Sequence, residues 1–165
     1  LIIQGCGGDT SSGTLLQEFN VSGRWTGTMS NVDSTRLISV SITLDDIAGT
    51  VNGIIVTPDY ECVTSGKASG TATKTTTNTG GDDPLTFDNE MSTRGVLSID
   101  WQPAPDEATA DRVSQIKISL TGTSSDLSGN YSGYWNTETD DNRCGALGLT
   151  NYESQTQGVM TLSRS

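Results

Sequence analysis

Phe19-Asn20-Val21-Ser22-Gly23-Arg24-Trp25-Thr26-Gly27-Thr28-Met29 alternates along its length. Phe19, Val21, Trp25 and Met29 fall on one face, and Asn20, Ser22, Arg24, Thr26 and Thr28 on the other. A period of two with one apolar face is the signature of a half-buried strand. Gly23 and Gly27 flank the tryptophan on its own face, leaving room for a flat-lying ring or a strongly bent strand. The stretch predicts the first strand of an antiparallel β-domain, with the rest of the chain wrapped around it.

The remainder of the sequence repeats that pattern. Leu37 to Leu44 alternates with Ile38, Val40, Ile42 and Leu44 inward, Asp45-Asp46 reads as a turn, and Ile47 to Thr57 returns as a third strand whose glycines mark bends. Tyr60-Glu61-Cys62-Val63 opens a fourth strand running towards Thr73, and Lys74 to Asp83 is a polar loop. A short strand is expected over Leu85 to Met91 and a surer one over Val96 to Trp101. Gln102 to Asp111, with prolines and acids, is an exposed loop. In the next strand Ser114, Ile116, Ile118 and Leu120 face inward. Asp126-Leu127-Ser128-Gly129 reads as a turn into Asn130 to Trp135, and Gly158 to Arg164 closes the chain with a terminal strand.

About eight strands at even spacing, all connectable by hairpins, predict an all-β fold. The expected architecture is a single antiparallel up-and-down β-barrel, with a two-sheet sandwich as the alternative. Closure of a barrel removes exposed edges. Residues 1–17 are expected to be a flexible N-terminal tail and residues 18–165 the barrel domain. Composition agrees: 165 residues suffice for one core, and low hydrophobic content (32%) with 19 glycines suits thin β-structure.

The same composition excludes several functions. The net charge of −11, with nine scattered Lys and Arg residues, excludes nucleic acid and anionic membrane surfaces as partners. There is no histidine, so Ser-His and Cys-His nucleophile systems and the commonest zinc ligand are absent. An enzyme would have to work with carboxylates. The pairs Asp45/Asp46, Asp82/Asp83 and Asp140/Asp141 all lie where turns are expected, and neighbours on a strand point to opposite faces. The loop from Asp82 to Glu90 (DDPLTFDNE) is the one place where Ca²⁺ comes into question, but it lacks the spaced D-x-D-x-D-G pattern. Asn20-Val21-Ser22 and Asn130-Tyr131-Ser132 match the glycosylation acceptor pattern and are read as chance occurrences.

Leu1-Ile2-Ile3-Gln4-Gly5-Cys6 carries the most specific local signal: an apolar run, a small residue, then cysteine, followed by a Gly/Ser/Thr-rich stretch to Gly13. Ile3-Gln4-Gly5-Cys6 resembles the lipobox of bacterial lipoproteins, in which the cysteine becomes the acylated first residue. That resemblance implies lipidation at Cys6 and a membrane partner reached through the lipid. With Cys6 so used, Cys62 and Cys144 remain as one disulfide closing a long loop, worth about 3–5 kcal/mol in the chain-entropy model. If Leu1-Ile2-Ile3 instead belong to the mature chain, they read as a strand donated to the open sheet edge of a neighbouring copy. The opening Gly23-x-Trp25-x-Gly27 and the closing LSGNYSGYW and GVMTLSR segments are similar to small lipocalin-like and avidin-like barrels. That similarity implies a barrel and carries over no ligand-binding residue.

Trp25, on an inward face, reads first as the plug of a small barrel. Together with Tyr134 and Trp135 it is also a candidate for ligand or partner contact, since aromatic walls define binding pockets. Tyr134 and Trp135 are consecutive and face opposite ways, so one ring is expected at the surface. The function expected is that of a non-enzymatic, extracytoplasmic, lipid-anchored β-barrel with a binding or structural role at the bacterial cell envelope. The alternative is a subunit of an extracellular filament or surface assembly, followed by a carboxylate-based glycan hydrolase.

Overall fold

The computed structural model describes residues 19–31, 37–59, 64–76, 93–104, 113–135 and 155–165. They form eight strands: β1 (Gly23–Asn31), β2 (Ile38–Ile47), β3 (Thr50–Val56), β4 (Ser65–Thr76), β5 (Thr93–Pro103), β6 (Val113–Gly122), β7 (Asp126–Trp135) and β8 (Gln155–Arg164). Each strand pairs antiparallel with the next, and β8 returns to β1, so the sheet is a closed up-and-down barrel. The sandwich alternative is thereby removed.

Alternation sorts the side chains as the sequence predicts. Ile38, Val40, Ile42 and Leu44 of β2 and Ile116, Ile118 and Leu120 of β6 are all buried. They meet Trp25, Met29, Leu97, Trp101, Tyr131, Met160 and Leu162 in one interior cluster. Eight strands enclose an interior just wide enough for side chains to fill. Here large apolar residues occupy it from rim to rim.

The first strand is shorter than the sequence suggests. Gly23 has φ of +117° and breaks the extended run, so residues 19–22 leave the sheet. Phe19 and Val21 stay buried by lying across the barrel mouth, Phe19 over Gly95. Three sets of bonds hold this lid. The Trp25 indole N–H donates to the Val21 carbonyl (2.8 Å), the Val21 N–H donates to the Asp46 carboxylate (3.1 Å), and the Asp46 N–H donates to Ser22 Oγ (2.8 Å). Arg164, at the end of β8, lies 5.4 Å from the centroid of the Trp25 ring and donates to the carbonyls of Ser22 and Asn20. The opening Gly-x-Trp motif and the closing arginine of the chain thus meet at one rim, here termed the near rim.

Two turns fall elsewhere than expected. Asp45 and Asp46 are strand residues of β2, because Ile47 pairs with Thr50 and leaves Ala48-Gly49 as the two-residue turn. Both turn residues have positive φ (52° and 85°), the backbone of a type I′ hairpin turn, whose twist matches that of the flanking strands. The Asp46 carboxylate also accepts from the Gly49 N–H at 2.9 Å, so it joins lid and turn rather than standing in solvent. Likewise Asp126 and Leu127 begin β7, Leu127 is buried, and the turn precedes them, with the Thr123 N–H donating to the Asp126 carbonyl at 2.9 Å.

The turns at 48–49 and 123–125 sit at the near rim with the lid. The connections from β1, β3, β5 and β7 all leave from the opposite, far rim. The expected strand over Leu85 to Met91 lies outside the described residues.

Candidate functional site

Trp25 is fully buried, its N–H is bonded to Val21, and one ring face is covered by Arg164. It is a structural plug, and its candidacy as a contact residue is withdrawn: no part of it reaches the surface. Tyr134 and Trp135 close β7 at the far rim, opposite Gln155 and Val113 respectively, and their side chains lie outside the described residues. So do Cys6, Cys62, Cys144 and the loop from Asp82 to Glu90. Among the described residues no group of three or more His, Cys, Asp or Glu side chains is placed to hold a metal ion.

Two polar atoms stand out inside the barrel. Trp101 Nε1 and Tyr131 Oη are buried without a hydrogen-bond partner. Both rings lie against glycine backbone: a methyl group added at Gly66 would fall 2.3 Å from Trp101 Nε1, and one at Gly158 would fall 2.2 Å from Tyr131 Cζ. Burial pushes the Tyr131 phenol up to about 12. A buried polar group left unpaired costs about 1–3 kcal/mol. The aromatic bodies are therefore used as core, and their polar ends are a cost.

The outer wall carries the surface concavities. A groove of about 680 Å³ runs over β4 to β8. Its rows are set by register: Thr71 of β4 stands opposite Ser98 of β5, Ser98 opposite Ser119 of β6, and Ser119 opposite Asn130 of β7. The next row towards the far rim is Asp100, Lys117 and Ser132. The inward neighbours Ile99, Ile118 and Tyr131 are buried behind this sheet, and the outward side chains are polar as far as β8, where Val159 stands exposed opposite Asn130. The side chains of Thr71, Ser98, Asp100, Lys117, Ser119, Asn130 and Ser132 make no hydrogen bond or ion pair among the described residues.

A second hollow of about 630 Å³ continues the wall towards the near rim, between Arg94, Thr121, Asp126, Ser128, Thr161 and Ser163. Here some of the polar groups bond one another. Ser163 and Ser125 hydroxyls donate to the two Asp126 carboxylate oxygens (2.9 and 2.8 Å), and Thr28 and Thr161 hydroxyls lie 3.3 Å apart. Those two serine bonds hold the Asp126 carboxyl below its usual range. The second hollow thus holds bonded side-chain pairs, and the groove holds none among the described residues.

The described outward faces carry mostly Ser, Thr, Asn, Asp and Lys, with Ile47, Ile54, Val56 and Val159 exposed among them, around an apolar interior. The class defined by the structure is a closed, side-chain-filled, eight-stranded antiparallel barrel. No protein-family model, curated protein or solved structure matches the chain.

Proposed function

We propose that this protein is a non-enzymatic β-barrel of the cell envelope, held to a membrane by lipid on Cys6, that binds partners through its outer wall. The observation that carries the wall reading is the filled interior beside a groove of uncommitted polar side chains. With the interior given over to core packing, recognition falls to the outside. The anchor reading is supported by Ile3-Gln4-Gly5-Cys6 and by the Gly/Ser/Thr-rich run that separates it from the lid at Phe19.

A binding role is favoured over glycan hydrolysis by the groove itself. Acid/base hydrolysis of a glycan needs two carboxyl groups across the bond, about 5–9 Å apart. Asp100 is the one carboxylate of the groove lining, and the residue facing it on β6 is Lys117. The strand-donating alternative is disfavoured by closure. Accepting a donated strand requires an open sheet edge, and each of the eight described strands is paired on both sides.

Cell fractionation tests the anchor. The wild-type chain, expressed with its own N-terminal region in a bacterium that processes lipoproteins, is expected in the membrane fraction and extractable by detergent. Cys6→Ser is expected in the soluble extracytoplasmic fraction. Equal partitioning of both forms overturns the anchor.

A further inference from the structure

We infer that the wall groove over β4 to β8 is a binding site for an uncharged, polyhydroxylated chain, a neutral oligosaccharide. The inference rests on the barrel working through its outer wall and is independent of the anchor at Cys6.

The chemistry of the lining selects the ligand class. Hydroxyls and the Asn130 amide both donate and accept hydrogen bonds, the Asp100 carboxylate only accepts, and the Lys117 ammonium only donates. Such a mixture matches sugar hydroxyls, each of which is both donor and acceptor. The Asp100 and Lys117 charges stand opposite each other, so the groove is locally balanced on a molecule of net charge −11. A polyanion is repelled by the whole and gains nothing locally. The side chains of Ile99, Ile118 and Tyr131 are sealed behind the sheet, and Val159, exposed on β8 opposite Asn130, adds only a small apolar edge for a lipid or apolar peptide to bury. An extended peptide has no free strand edge to join.

The shape agrees with a chain rather than a single ring. Successive outward rows on one strand are two residues apart, about 7 Å. The rows at Asp100 and Ser98 continue into those at Val96 and Arg94 of the adjoining hollow, giving a track of about 20 Å along β5. Ser, Thr and Asn also lose little rotamer freedom on contact, in contrast to a wall of Lys and Glu. Finally, the uncommitted state of the groove side chains sets them apart from Asp126, Ser163, Thr28 and Thr161, which are already bonded to one another.

The test is an amide-resolved NMR titration of the full chain with a panel of neutral hexasaccharides, gluco-, xylo-, manno- and chito-linked, and with oligogalacturonate as the polyanionic comparison. At least one neutral member is expected to shift amides of β5, β6 and β7 around Ser98, Lys117 and Asn130. Asp100→Ala and Asn130→Ala, both on the outer wall, are each expected to weaken that binding about five- to tenfold, roughly one hydrogen bond's worth. Asn52→Ala, exposed on β3 away from the groove, is expected to leave it unchanged. No shift with any neutral member, or shifts insensitive to both groove substitutions, overturns the inference. Groove shifts with oligogalacturonate alone overturn the neutral ligand and leave the wall reading standing. Shifts confined to the far rim overturn both.

Discussion

Arg164 covers the Trp25 ring and donates to two lid carbonyls, so one side chain near the end of the chain holds the segment that precedes β1. Arg164→Ala is expected to destabilise the barrel by about 1–2 kcal/mol, from a lost cation–π contact and lost hydrogen bonds; urea unfolding measures it. Arg164→Lys should recover only part of that, because an ammonium does not reproduce the flat guanidinium over the indole. Tyr131 gives a prediction in pH. Its phenol is pushed up to about 12 from the ordinary 10, so the unfolded chain sheds this proton before the folded one does. The contribution is intact below pH 10 and is lost as pH rises towards 12. Tyr131→Phe removes an unpaired buried hydroxyl and is expected to unfold at the same urea concentration or a higher one, with a weaker alkaline loss. A destabilised Tyr131→Phe with the wild-type alkaline profile would contradict the assignment.

At the scale of elements, the β2–β3 hairpin shows where reading residues runs ahead of reading backbone. Asp45-Asp46 has the composition of a turn, yet the turn is Ala48-Gly49, because inward alternation of Ile42 and Leu44 carries β2 on to Ile47 and its pairing with Thr50. Alanine at φ of 52° is unfavourable, and asparagine tolerates that region far better. Ala48→Asn is therefore expected to raise the melting temperature, by about 0.5–1 kcal/mol of stability. The β6–β7 turn was hidden for a similar reason: Asp-Leu-Ser-Gly resembles a turn, but Leu127 belongs to the core and draws Asp126 into the strand. The strands with clean apolar alternation, β2 and β6, were legible from their side chains alone. The groove was not. Its residues are Ser, Thr, Asn, Asp and Lys from separate strands, each indistinguishable in sequence from an ordinary wet face, and strand register alone brings them together.

For the whole molecule, the eight-stranded closure follows from a chain that is a continuous meander, with Trp25 near one end and Arg164 near the other meeting at the seam between β1 and β8. On the proposed function, the interior is given to core packing and recognition to the outer wall. Cys62 and Cys144 extend the prediction beyond the strands. Cys62→Ser is expected to lower the melting temperature markedly, in line with about 3–5 kcal/mol for a long closed loop. A non-reduced digest is expected to contain the linked 62–144 peptide, and free alkylation of either thiol in the native protein would contradict it. The most direct test of the envelope-anchored reading is the intact mass and N-terminal sequence of the protein taken from its native membrane or surface fraction. An acylated chain beginning at Cys6 is the predicted result. An unmodified chain beginning at or before Leu1 would contradict it.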